Sequence, residues 1–167
     1  MYQIALLTVF PTAVIFAAAM DLFSMTIPNR ISLVLVAGFF CLAPFANLSL
    51  EDVGMHVLAG LTMLAFTVTL FAFKFLGGGD AKLAAAAALW LGFDDLLAYA
   101  FTASLIGGAL SLGFLMFRQV PLPYAWARAP WIERLHMPRG DIPYGVALAA
   151  AALIVYHQSV WMRGLAG

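Results

Sequence analysis

Charge is what this sequence has least of. Only 10% of its 167 residues are charged, eight basic against eight acidic, while 65% are apolar. With a mean hydropathy of +1.00, an ordinary water-soluble domain is excluded and the bilayer becomes the expected solvent. Zero net charge offers no basic surface for nucleic acid. The single cysteine, Cys41, lies in an apolar run, which rules out an internal disulfide or a paired-cysteine zinc site. His56, His136 and His157 are scattered, and neither a Walker phosphate loop nor a dinucleotide fingerprint occurs. No metal and no organic cofactor is therefore expected. No basic residue precedes the first apolar run and Asp21 follows it, which departs from a signal peptide, so residue 1 is expected to remain in the mature chain.

Long apolar runs fill the rest. "IALLTVFPTAVIFAAAM", "ISLVLVAGFFCLAPFA" and "MHVLAGLTMLAFTVTLFAF" approach or reach the roughly 20 residues that a helix needs to cross hydrocarbon. Helices are expected near 3–21, 30–46, 54–74, 81–92, 96–117 and 143–162. The fold class is all-α: a polytopic integral membrane protein with about six transmembrane helices, organised as a single domain over 1–167. Counting Lys and Arg in alternate connections puts Arg30, Lys74, Lys82, Arg118, Arg128, Arg134 and Arg139 on one side and Arg163 alone on the other. The richer side is expected to be cytoplasmic. The opposite turns hold Glu51, Asp52, Asp94 and Asp95 and read as solvated.

Carboxylates near hydrocarbon cost about 2.5–3.5 kcal/mol at a helix centre, so any outside the outer turns need a reason. Asp21 and Asp80 are the two. Although 59 positions apart, both fall at the cytoplasmic edge of the expected topology. Two carboxyl groups that approach closely do not both ionise easily, which leaves one as base and the other as acid. Such a pair can activate water against a peptide carbonyl without a covalent intermediate or a metal. Gly77, Gly78 and Gly79, just before Asp80, tolerate φ > 0 and close backbone approach, so "FLGGGDAK" could seat a substrate strand. The same stretch also reads as a turn and an N-cap for the Ala-rich helix that follows. Asp21 also reads as an interfacial residue opening the turn that Ile27, Pro28 and Asn29 complete.

These motifs closely resemble those of the type IV prepilin peptidase family, intramembrane aspartyl proteases of the Gly-x-Gly-Asp class. The matching pieces are Asp21 followed by Ile27-Pro28-Asn29, then Gly77-x-Gly79-Asp80-x-Lys82, then Pro143-Tyr144-Gly145 opening the last helix. The resemblance implies that Asp21 and Asp80 are the catalytic pair and that cleavage follows a glycine in a prepilin or pseudopilin leader. Lys82 would be a supporting residue at most, and only the resemblance moves Tyr144 and Gly145 toward the site. It implies a multi-pass protein of the bacterial inner membrane with its active site toward the cytoplasm, and pilus assembly machinery as a partner. Larger members carry an added cytosolic segment with paired cysteines and N-methylate the new terminus. The present sequence resembles instead the compact form that serves tight-adherence (Flp) pili, which puts methyltransferase activity in doubt.

The segment from Arg118 to Asp141 interleaves arginines with Tyr124, Trp126 and Trp131, a mixture suited to membrane lipids. An alternative reading is that one arginine meets an acidic residue of the substrate. Ala103 with Gly107 and Ala84 with Ala88 have the small-residue spacing of close helix packing. A reading from a different class is a small transporter or proton-conducting protein using its membrane-edge carboxylates.

Overall fold

The structure is a computed structural model that describes residues 2–123, 126, 128–138 and 140–163, with the side chains of 2–4 and 6 left undescribed. Tyr124 and Arg139 thus lie outside the described residues. In chain order the helices are α1 (Tyr2–Ser24), α2 (Asn29–Leu42, extended by a 3-10 turn over Ala43–Ala46), α3 (Leu50–Ala72), α4 (Gly78–Phe117), α5 (Pro130–His136), α6 (Tyr144–Tyr156) and α7 (Val160–Arg163). No strand occurs among the described residues. Five stretches are long and apolar enough to cross a membrane, within α1, α2, α3, α4 and α6–α7. Apolar side chains such as Leu33, Phe40, Leu61, Phe66 and Leu112 point outward, as hydrocarbon rather than water as solvent requires. The chain is an all-α polytopic membrane protein.

The expected fourth and fifth helices are joined. α4 has 40 residues, about 60 Å if straight, or twice the hydrocarbon thickness. It is broken at Gly92, where φ is 72° and ψ is −178°, a region open essentially to glycine alone. There the chain folds back. Residues 91–95 line a cavity at one end of the bundle with Asp52, His56 and Arg163, whereas Gly77 and Asp80 before the break, and Gly107 after it, both approach Tyr144 at the other end. The four-residue turn expected from "GFDD" is thus made by one residue.

The first arm of α4 is the centre of the bundle. Ala81, Leu83, Ala84 and Ala86–Leu91 are all buried, and α2, α3 and α6 pack around them. Small side chains let three neighbours approach one helix at once; an added Cβ on Gly60 of α3 would sit 3.3 Å from the Ala85 carbonyl oxygen. The break leaves carbonyls at the end of this arm without helical partners. Two side chains far away in sequence supply them: Trp161 Nε1 donates to the Trp90 carbonyl at 2.6 Å, and His56 Nδ1 lies 2.8 Å from the Leu89 carbonyl.

The structure adds local bonds to two of the connections. Asp52 is not merely a solvated turn residue, because Ser49 and Asp52 form a reciprocal capping box at the start of α3. The Arg118–Asp141 segment contains α5, and two of its arginines, Arg118 and Arg134, bind the chain itself. Arg118 donates to the Leu135 and Asp141 carbonyls, both at 2.9 Å, and Arg134 donates to the Phe23 carbonyl at 3.1 Å. Trp131 meets Phe23 edge to face, so the segment is fastened over the end of α1.

Candidate active site

α1 runs past Asp21 to Ser24, so this carboxylate sits inside the last turn of the helix rather than after it. Its backbone carbonyl accepts from the N–H of Met25 at 2.8 Å. Asp80 is the third residue of α4, where its Oδ2 accepts the Gly77 N–H at 3.2 Å. Asp80 therefore does the capping work that its sequence context suggests, but with one oxygen only. Its Oδ1 is buried and has no hydrogen-bond partner among the described residues.

Both carboxylates line one cavity of about 440 Å³, with Met25, Phe71, Lys74, Gly77 and Tyr144 among its walls. Asp21 is 6% exposed and Asp80 8%, and Asp80 lies within electrostatic reach of Asp21. What holds two acidic groups together is the direction of two helices. Asp80 occupies the first turn of α4, and the first turn of α6 aims at Asp21: the Gly145 N–H donates to Asp21 Oδ2 at 2.7 Å and also faces Asp80. Helix N-termini carry unsatisfied N–H groups and the positive end of the helix dipole, so they stabilise negative charge.

The glycines act here by close approach. A Cβ on Gly145 would lie 2.8 Å from Asp21 Oδ2, and one on Gly77 would lie 2.7 Å from Asp80 Oδ2. Gly79 lets the start of α4 rest on Ile27, 3.1 Å from where its Cβ would be, and Gly78 faces the Phe71 ring. None of Gly77, Gly78 and Gly79 has positive φ; the left-handed residues at this cavity are Met25 (φ 54°) and Lys74 (φ 62°), which end α1 and leave α3. The flexibility expected of the triple glycine is thus not used in this conformation.

The remaining candidates divide. Pro28 precedes α2 in an extended conformation, and Pro143 precedes α6 at φ −73° and ψ 80°. Tyr144 lines the cavity, with its hydroxyl 2.9 Å from Ser111 Oγ and its ring against Gly107. Lys82 and Asn29 are not brought to the carboxylates. Lys82 Nζ donates to Asn29 Oδ1 at 2.9 Å, and both line a separate apolar groove of about 510 Å³ between α2 and α3. Sequence reasoning missed Met25, Phe71 and Lys74, which only the folded ends of α1 and α3 deliver to the cavity.

The family model of the type IV leader peptidase family matches residues 8–112. The chain belongs to that family. No curated protein and no solved structure matches it. The matched span holds Asp21, Asp80 and the triple glycine; the N–H that joins the pair, at Gly145, comes from beyond it. A leader peptidase needs a general acid, a general base and room for a peptide beside them, and this cavity offers two carboxyl groups and the space.

Proposed function

We propose that the protein is an aspartic endopeptidase of the bacterial inner membrane, with Asp21 and Asp80 as its catalytic pair, cutting the leader from prepilin-like proteins at the cytoplasmic face. The observation that carries this reading is the meeting of two buried carboxyl groups, 59 positions apart in sequence, on one cavity with the Gly145 N–H beside both. The ionised carboxylate takes a proton from water, and the water oxygen bonds to the scissile carbonyl carbon. The protonated carboxyl gives its proton to the carbonyl oxygen. In the collapse of the tetrahedral intermediate the C–N bond breaks, the amine leaves with the proton that came from water, and one hydroxyl returns its proton to the other carboxylate, which restores the singly protonated pair. Because a coupled pair titrates as a unit, neither residue is assigned as acid or base. Gly77 and Gly145 support the pair through their N–H groups, Gly78 and Gly79 let α4 begin close to its neighbours, and Tyr144 walls the cavity.

The orientation follows the basic residues, since Lys74, Arg118 and Arg134 lie at the carboxylate end of the bundle and cytoplasmic ends carry that excess. The compact chain, with its one cysteine, favours a short Flp-type pilin or pseudopilin as substrate and an unmethylated product. Co-expression with such a prepilin, followed by the mass of the pilin, tests this. A loss matching cleavage after the leader glycine supports the reading, and the same mass reports any added methyl. An intact prepilin beside a well-accumulated protein contradicts it.

A further inference from the structure

A second cavity of about 350 Å³ lies between α3 and the second arm of α4, next to the aspartate cavity. It shares Phe75, Leu76 and Tyr144 with the aspartate cavity, so the two adjoin across common walls. Its walls are apolar on α3 and small on α4, where Ala103, Gly107 and Gly108 leave a shallow trough.

One buried polar group on this trough has nothing to bind. Tyr99 is 0% exposed, and its hydroxyl has no hydrogen-bond partner among the described residues. It lies within electrostatic reach of Asp80, whose Oδ1, on the adjoining cavity, is likewise buried and unpartnered among the described residues. The nearby donors are already engaged. Gly77 and Gly145 N–H groups serve the carboxylates, Thr67 donates to the Met63 carbonyl at 2.8 Å, and the Tyr144 hydroxyl pairs with Ser111.

A buried hydroxyl without a partner is a cost to the resting fold, and a phenylalanine of the same shape would remove it. The peptidase reading supplies a use. Hydrolysis needs the substrate backbone locally unwound, and an unwound carbonyl at membrane depth requires a donor. We propose that Tyr99 is a substrate-binding residue, its hydroxyl donating to a backbone carbonyl of the apolar, membrane-embedded segment beside the scissile bond as that segment lies in the trough between α3 and the second arm of α4. This rests on the function proposed above, and the trough's common walls with the aspartate cavity, Phe75, Leu76 and Tyr144, point to that same chain as its occupant.

The test is steady-state cleavage of a purified prepilin by the detergent-solubilised protein, its Tyr99→Phe variant and its Gly108→Leu variant, each with its thermal midpoint. Gly108 lines the trough, and a Cβ there meets nothing within 4 Å, so Gly108→Leu narrows the trough from a position with room at its Cβ. The proposal expects Tyr99→Phe to raise KM about tenfold with kcat within about twofold and the midpoint unchanged or higher. Gly108→Leu is also expected to raise KM. An unchanged KM in Tyr99→Phe overturns the proposal while leaving the peptidase reading intact. So does a lowered midpoint, which would mean that the hydroxyl already holds the fold together. A fall in kcat with a displaced pH profile overturns it as well, by giving the hydroxyl to Asp80 instead of the substrate. If the unaltered protein cleaves no better than Asp21→Asn, the peptidase reading itself fails, and this proposal with it.

Discussion

A Cβ at Gly145 would sit 2.8 Å from Asp21 Oδ2 and 2.8 Å from Ile27 Cδ1, closer than any side chain tolerates, so Gly145→Ala must move the carboxylate or the helix. A shift of about 1 Å at a catalytic group can cost about a hundredfold in rate. Gly145→Ala is accordingly expected to lower the initial rate of prepilin cleavage by about that factor, whereas Gly113→Ala, where a Cβ meets nothing within 4 Å, should leave it unchanged. Equal rates for the two variants would remove the Gly145 contact from the account. At this scale the sequence is legible in its costs. Asp21 and Asp80 stand out because carboxylates are expensive in an apolar chain, and chemistry alone suggests them. The Gly145 N–H is invisible to such reasoning, since its bond to Asp21 spans 124 positions. Tyr99 is hidden for the opposite reason, because an aromatic in an apolar helix looks like core. Lys82, drawn toward the site by its motif position, is turned to Asn29 instead.

Among the elements, α4 carries the largest difference between sequence and structure. The composition of "GFDD" suggests a polar turn, but the reversal needs only Gly92 at φ 72°, and Asp94 and Asp95 continue the helix. Helical periodicity has no means of registering a single residue in a region closed to side chains. Gly92→Ala meets that backbone cost, about 1–3 kcal/mol, and also places a Cβ 2.9 Å from His56 Cε1. We expect it to lower the thermal midpoint of the solubilised protein clearly, and an unchanged midpoint would mean that the arms need no glycine at their junction. The other helices were readable because apolar runs of membrane length leave little freedom in where a helix lies. Their ends were less so. α1 outlasts Asp21 by three residues and α5 interrupts the long connection, where arginine-to-carbonyl bonds rather than apolar pattern decide the conformation.

For the whole molecule, the charges sort by end. Lys74, Arg118 and Arg134 accompany the carboxylate cavity, while Asp52, Asp94, Asp95 and Arg163 surround the cavity at the far end. The excess of basic residues predicts that the carboxylate end faces the cytoplasm. With Cys41 replaced by Ser, a membrane-impermeant maleimide added to intact spheroplasts should label Asp94→Cys and spare Gln119→Cys, and the reverse pattern would invert the orientation. Since α4 folds back at Gly92, both of its arms reach Tyr144, which lets one helix deliver Asp80 with its first arm and wall the adjoining trough with its second. The central claim is that Asp21 and Asp80 act together as acid and base. The most direct measurement is the mass of a co-expressed prepilin with the unaltered protein, with Asp21→Asn and with Asp80→Asn, each verified in the membrane. The account predicts leader removal by the unaltered protein and an intact prepilin with either variant; leader removal by both variants would contradict it.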